Sequence, residues 1–404
     1  MCHATKMKFL LVGLLPLASS FVGAPRPRIG RRGAVAMGAM KKIAVGVVGP
    51  GLVGSEVLRQ IEATRPLLEQ QGLDVTVTAI STSKRMICDD EDGCTLEDIE
   101  GILNDPSGGV DADLEQMAAK LQAAAPHAVM LDTTASEAVS DLYAPWLAAG
   151  VHVVTPNKKV GSGDLKRWRA CRDAMAATGA RMGDETTVGA GLPILGTLRT
   201  DLIATGDKVH AIEGIFSGTL SYIFNTFKPG MKFSDVINDA KEKGFTEPDP
   251  RDDLNGMDVA RKVTILARAC GLEVELDAVP IESLVPAALE DWAPEPGEPL
   301  ADAFVAQMAA FDAEKEALIN EADAAGEVLR FVGRVDLDAK KVSVELRKYP
   351  KTHPFAGTQY ADNICAFQTE RYAPQPLVIQ GPGAGAAVTA AGIYADFLRI
   401  ANAC

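Results

Sequence analysis

The chain has 404 residues, 47% of them hydrophobic, and a formal charge of −14. That is enough apolar content for a substantial core and two domains, while so acidic a surface argues against nucleic acid as the main partner. Seven cysteines with no CxxC pair argue against a disulfide scaffold and a structural zinc site.

Residues 1–40 read as a targeting leader. Lys6 and Lys8 precede an apolar stretch at 9–17 that is too short for a membrane anchor. An acid-free segment with Arg26, Arg28, Arg31 and Arg32 follows. Signal-like then transit-like sequence resembles the bipartite leaders of plastids bounded by extra membranes. Secretion and a mitochondrial presequence are the alternatives. The mature chain is expected to begin near Met40, in the plastid and off the membrane.

Residues 43–57 read IAVGVVGPGLVGSEV. An apolar run ends in Gly49-Pro50-Gly51-Leu52-Val53-Gly54 and passes into a helical pattern, the context a dinucleotide-binding GxGxxG needs. Gly49 allows the tight turn. Gly51 lets the backbone approach a diphosphate at the helix N-terminus, and Gly54 lets helix and strand pack closely. Gly49, Gly51, Leu52, Val53 and Gly54 are the candidate cofactor contacts; the alternative is a purely structural turn.

The helix is expected to run over 53–70, and 75–80 alternates as a second strand. The residues after that strand meet the adenosine ribose. In place of the Asp or Glu that suits NAD, the chain offers Ser81, Thr82, Ser83, Lys84 and Arg85. Hydroxyls and two cations favour NADP, with Ser81, Lys84 and Arg85 as candidates; otherwise the cations face solvent. Residues 89–100 read as an acidic loop and short helix, where Cys88 and Cys94 are a possible redox pair.

A helix over 113–125 leads to a strand at 127–131. Thr133 and Thr134 then border the nicotinamide, and Ser136 caps the helix that follows; the simpler reading is the cap alone, and both can hold. The strand at 151–155 ends in Thr155-Pro156-Asn157-Lys158-Lys159, which puts Lys158 on the ligand side of a parallel sheet. After a helix at 164–178, Glu185 precedes glycine-rich turns. Glu185 and their carbonyls form either a monovalent-cation site or a plain hinge.

A strand at 209–216 and helices at 217–227 and 234–243 open the second half. Two prolines then stiffen a loop carrying Glu247 and Asp249. Asp252 and Asp253 read as caps of a helix running to 270. On it Asn255, Asp258 and Lys262 share a face. The Asp258–Lys262 pair is either a proton-transfer pair or an exposed salt bridge worth about 0.3–0.5 kcal/mol. A helix at 302–325 and strands at 327–335, 341–346, 364–369 and 377–380 fit a mixed or antiparallel sheet with helices on one face. The GPGAG at 381–385 opens a last helix, 386–401, which returns to the first domain and brings Gly385 near the cofactor. His127, His152, His210 and His353 show no ligand spacing.

Together, TPNKK at 155–159, VGAGLP at 188–193, Gly218-Thr219 and the block from Glu247 to Lys262 resemble homoserine dehydrogenase over nearly all of 41–402. The resemblance implies an α/β fold: a Rossmann dinucleotide-binding domain (41–190), an inserted α+β substrate and dimerisation domain on a mixed sheet (191–375), and a returning segment (376–404). It implies reduction of L-aspartate 4-semialdehyde to L-homoserine in threonine, methionine and isoleucine biosynthesis. NADP(H) is favoured over NAD(H), and a homodimer is expected. By the same resemblance Lys262 is the catalytic lysine and Lys158 its partner. Glu247, Asp258, Asp253, Gly218 and Thr219 meet substrate, and Thr155, Pro156 and Lys158 border the cofactor. Glu185 with the backbone of Val188, Ala190 and Leu192 holds a monovalent cation, expected to be sodium. The family often carries a fused aspartate kinase or ACT domain; neither is seen in this sequence, so a monofunctional form is expected. Two rival readings are an acylating semialdehyde dehydrogenase, for which Cys171 and Cys270 lack a histidine partner, and a cofactor-binding scaffold without turnover.

Overall fold

A computed structural model describes residues 40–404 except 90, 91, 106 and 107. The expected leader, Met40 apart, lies outside these residues. The first sheet comprises β1 (Lys41–Val48), β2 (Leu73–Ser81), β3 (Arg85–Cys88), β4 (Val110–Asp111), β5 (His127–Asp132), β6 (His152–Val154) and β7 (Met182–Gly183), in the order β4-β3-β2-β1-β5-β6-β7. The pairings β2–β1–β5–β6–β7 are parallel, whereas β3 is antiparallel to both β2 and β4.

The central strand β1 opens on Lys41 and Lys42 and is apolar and buried from Ile43 to Val48, where both its faces are covered, as parallel strands require. Ile43, Val45 and Val47 pack with Val57, Leu58 and Ile61 and with Ile393 and Phe397 of the last helix. Ala44 and Val48 pack on the opposite face with Met117, Leu121 and Trp146. The last helix, Ala386–Ala403, lies against the Leu52–Ala63 helix. Gln60 Nε2 donates to the Ala387 carbonyl at 3.1 Å, and the Thr64 and Tyr394 hydroxyls meet at 2.5 Å.

The second sheet comprises β8 (Val209–Ile215), β9 (Glu327–Asp336), β10 (Lys341–Pro350), β11 (Asp362–Thr369) and β12 (Leu377–Pro382), in the order β10-β9-β8-β11-β12. Every pairing is antiparallel, which corrects the mixed sheet expected from the family resemblance. The connections explain it. β9–β10 and β11–β12 are joined by short links that permit only reversal, and β8 is flanked by two strands that both run against it. The helices Gly218–Thr226, Phe233–Glu242 and Met257–Ala269 cover one face and form the larger core with it.

Three long predicted helices are broken. The one expected over 53–70 divides at Thr64 into Leu52–Ala63 and Arg65–Gln70. The one expected to be capped by Asp252 and Asp253 is a short turn, Arg251–Leu254, followed by Met257–Ala269. Gly256 separates them in the left-handed region (φ +73), where a Cβ would lie 2.9 Å from Ile281. Asn255 Oδ1 accepts the Met257 N–H at 2.8 Å, so the capping role assigned to Asp253 is corrected. The 302–325 helix divides into Leu300–Met308 and Asp312–Ala324. Among the described residues no helix is long and apolar enough to cross a membrane.

Candidate active site

The glycine turn after β1 is shaped for a ligand backbone rather than for side chains. Gly49 has φ +84, and its N–H donates to the Ser81 carbonyl at 2.8 Å. A Cβ on Gly54 would lie 2.6 Å from the Gly49 carbonyl and 2.8 Å from Thr133 Oγ1, whereas Gly51 faces open space. The Leu52–Ala63 helix has no side-chain cap and no acid in its first turn. Its first amides therefore suit an anion. Leu52 beside them is 87% exposed, and Val53 is half-buried. These features fit a dinucleotide diphosphate. Thr133 and Thr134 brace the turn from β5: the Thr133 hydroxyl meets the Gly49 carbonyl at 2.5 Å, and Thr134 Cγ2 lies under Gly49.

At the end of β2 the three ribose candidates separate. Ser81 is buried, and its hydroxyl donates to the Thr82 carbonyl at 2.9 Å. Arg85 braces the neighbouring loop: its guanidinium donates to the Gly108 carbonyl at 3.0 Å and the Gly109 carbonyl at 2.5 Å, and pairs with Asp111. Lys84 is exposed.

A buried polar network organises the carboxyl ends of β5 and β6. Asp132 is fully buried, which pushes its pKa up, but its hydrogen bonds oppose that shift. Its carboxylate accepts the Thr134 N–H (2.8 Å), an Asn157 Nδ2–H (3.2 Å) and the Tyr143 hydroxyl. Thr155 Oγ1 accepts the Asn157 N–H at 2.9 Å. This clamps the Thr155-Pro156-Asn157 turn and directs Lys158 out of the sheet. Lys158 Nζ meets Asp258 Oδ1 at 3.2 Å.

Asp258 also receives Lys262, whose Nζ lies 2.7 Å from Oδ2 and donates to the Phe216 carbonyl at 2.6 Å. One carboxylate thus gathers two ammonium groups, one from each half of the molecule. Burial pushes the Lys262 pKa down, against the pull of Asp258. For Asp258, burial acts to raise the pKa, but Lys262 and Lys158 outweigh it and hold the carboxyl well below its usual range. The Lys262 side chain is 10% exposed and that of Asp258 41%, so the pair is buried at its lysine end and is not the fully exposed salt bridge of the alternative.

Beside this pair opens a cleft of about 940 Å³ that takes its wall from the end of β8, the Glu247 loop, the Met257–Ala269 helix and the 382–385 turn. Glu247, Asp253, Gly218, Thr219 and Gly385 all line it. Asp253 accepts the Glu247 N–H at 2.8 Å and stands 2.9 Å from the Thr219 hydroxyl. Burial pushes its pKa up, and the nearby Glu247 and Asp252 charges act in the same direction. Sequence reading missed Arg261, Tyr360 and Asp362, which share the wall. Arg261 carries no pattern distinct from a solvent-facing position. The other two arrive only because β11 pairs with β8.

Glu185 is buried and accepts the Leu195 N–H at 2.6 Å and the Gly196 N–H at 2.7 Å. It therefore caps the helical turn that begins at Ile194. Burial raises its pKa, and those two amides oppose the shift. Val188 is buried and Ala190 takes φ +53 on the following turn, where the Leu192 N–H bonds the Gly189 carbonyl at 3.0 Å.

No disulfide joins the six described cysteines, and none of them lines the cleft. Burial pushes Cys94 and Cys270 up to about 12 and Cys171 up to about 11, which removes support for a thiol nucleophile. At the amino ends of β5 and β6, away from the cleft, ligand atoms of His127, His152 and Cys404 gather within 4.8 Å, a cluster that spacing did not reveal. His152 Nδ1 accepts the Arg181 N–H there, so the neutral ring carries its proton on Nε2, 3.5 Å from the Cys404 sulfur. That tautomer has no lone pair left for a metal.

Residues 49–183 match the family model described as the homoserine dehydrogenase NAD-binding domain, and residues 193–398 match that of homoserine dehydrogenase itself. The chain belongs to the homoserine dehydrogenase family. The bifunctional aspartokinase/homoserine dehydrogenase 1, chloroplastic, of Arabidopsis thaliana is 47% identical over 362 residues, covering 89% of this chain and 39% of that protein. The chain thus spans about two-fifths of the length of the bifunctional plant relatives it matches. A homoserine dehydrogenase of Paracoccidioides brasiliensis is 43% identical over 374 residues, 89% of this chain and 98% of that one. A crystal structure of a Candida auris protein described as of unknown function superposes with a TM-score of 0.80 at 40% identity, covering 89% and 98% of the two chains. Both domains of this homoserine dehydrogenase family member are therefore of the kind their models describe, a Rossmann-like nucleotide domain and a second domain on an antiparallel sheet.

Proposed function

We propose that the chain catalyses the reversible, NAD(P)H-dependent reduction of L-aspartate 4-semialdehyde to L-homoserine, the step that serves threonine, methionine and isoleucine synthesis. The observation that carries this reading is the buried Lys262 amine, 2.7 Å from Asp258 in the wall of the cleft. A bound dihydronicotinamide supplies the hydride. Negative charge then develops on the aldehyde oxygen. Lys262, kept cationic by Asp258, stabilises that charge and delivers the proton. Lys158 is the second cation and shares the same carboxylate. Glu247 and Asp253, two of the carboxylates that line the cleft, receive the substrate ammonium with the help of Thr219. Gly218 leaves room beside them.

The glycine turn and Gly385 hold the dinucleotide, with Thr155 and Pro156 at its nicotinamide end. Lys84 is read as the contact for a 2′-phosphate, which favours NADPH. Glu185 with the backbone of Val188, Ala190 and Leu192 is read as the site of a monovalent cation, sodium by resemblance. The same resemblance supports a homodimer and, with the leader, a plastid location. The test is an assay of the purified protein with aspartate semialdehyde and either NADPH or NADH. Turnover with both, faster with NADPH, is expected. NADH preference overturns the Lys84 reading, and nucleotide binding without turnover favours a scaffold.

A further inference from the structure

Asn363 lies in β11, opposite Gly381 of β12. Side chains alternate along a strand, so it shares a face with Cys365, which is packed in the helix-covered core. Asn363 is 0% exposed, and neither its Oδ1 nor its Nδ2 has a hydrogen-bond partner among the described residues. Buried carboxamides are nearly always paired, because an unpaired one has lost its water for nothing. The side chain sits directly behind the 381–385 turn: a Cβ built on Gly383 would fall inside the Asn363 carboxamide. The turn itself is half-exposed to exposed, has glycine at 381, 383 and 385, and lines the cleft from Pro382 to Gly385. Gly385 stands at φ +117 where it opens the last helix. A buried, unpaired polar group thus lies behind a glycine-rich backbone that lines the cleft.

We propose that Asn363 is a positioning residue: when the dinucleotide binds, the 383–385 backbone resettles and its amide and carbonyl groups pair with the Asn363 carboxamide. Part of the binding energy for the nucleotide then comes from a side chain that never touches it. The inference rests on the reading that this turn borders the cofactor.

The distinguishing variant is Asn363→Leu, close in shape but unable to hydrogen-bond. Removing an unpaired polar group from the unliganded core should leave its thermal midpoint unchanged or raise it. The midpoint increase caused by saturating NADPH should fall, and the KM for NADPH should rise about tenfold, with kcat within about twofold of wild type. Asn363→Thr, which keeps a donor and an acceptor, should recover at least half of the NADPH-induced increase. It also carries the test if the leucine variant does not fold. A lower unliganded midpoint with the full NADPH response marks a merely structural asparagine and overturns the inference, as does a leucine variant indistinguishable from wild type or a threonine variant without recovery. A wild-type protein that responds to neither NADPH nor NADH overturns the cofactor reading instead.

Discussion

Lys262 stands one helical turn beyond Asp258, with its amine 2.7 Å from the carboxylate and its side chain almost wholly buried. Burial pulls the pKa of this amine down and Lys158 pulls it further; Asp258 is the group that opposes both. In Asp258→Asn the anion is gone while both opposing effects remain. An opposite charge at this distance favours the ionised form by a pH unit or more. The alkaline limb of the kcat profile for aldehyde reduction should therefore move to lower pH by at least about one unit. A limb that stays in place would show that Lys262 does not set it.

Lys262→Ala should separate chemistry from binding. A positioned proton donor contributes roughly 10²–10⁴-fold, so turnover should fall by about that factor. The NADPH-induced rise in thermal midpoint should persist, because the glycine turn proposed to hold the nucleotide follows β1 of the first sheet, whereas Lys262 lies on a helix over the second. Equal loss of both would make the lysine a structural one.

Why the sequence revealed some of this and hid the rest is clear from individual residues. β1 and the Gly49–Gly54 turn are legible because a strand buried on both faces and a diphosphate-binding turn each leave a local signature. Asp258 and Lys262 show their shared helix face through i,i+4 spacing. Burial of Lys262 does not show, since it depends on the Phe216 carbonyl 46 residues away. β3 and β4, on either side of the acidic 89–100 stretch, escape notice because strands of four and two residues are too short to display a period. The capping reading of Asp253 fails because Gly256 breaks the helix after it, at a position set by Ile281 and Phe331. The antiparallel order of the second sheet and the Asp132 network beneath Lys158 are tertiary facts with no local trace.

Gly54→Ala tests the close packing of the nucleotide turn. The new Cβ would lie 2.6 Å from the Gly49 carbonyl and 2.8 Å from Thr133 Oγ1. Backbone cannot yield as a flexible side chain does, so overpacking here should cost about 1–3 kcal/mol in urea unfolding. The KM for NADPH should rise as well, because relief of the clash moves Gly49. Unchanged stability would mean that the turn relaxes freely and that the glycine is not required by packing.

Lys84 and Arg85 are adjacent cations with different predicted roles. Lys84 is exposed, whereas Arg85 already holds the Gly108 and Gly109 carbonyls. Lys84→Ala should raise the KM for NADPH roughly tenfold, the loss of one charge-assisted contact, and leave that for NADH alone. Arg85→Ala should lower the thermal midpoint and affect both cofactors alike. A selective NADPH effect from Arg85 would mean that it leaves its loop contacts for the 2′-phosphate.

Glu185 has two possible duties that one substitution can separate. Both its oxygens accept backbone amides, from Leu195 and Gly196. Glu185→Gln sets an amide NH₂ against one of those donors, and an unpaired buried amide costs about 1–3 kcal/mol. The unliganded midpoint should drop accordingly if the residue is a helix cap. If it also helps hold sodium, replacing tetramethylammonium chloride by sodium chloride at constant ionic strength should raise the wild-type midpoint but not that of the variant. A sodium response retained at full size in Glu185→Gln would confine the residue to capping and place the cation elsewhere. The wild-type response must be measured first, since binding of the ion to the native state is what makes the comparison informative.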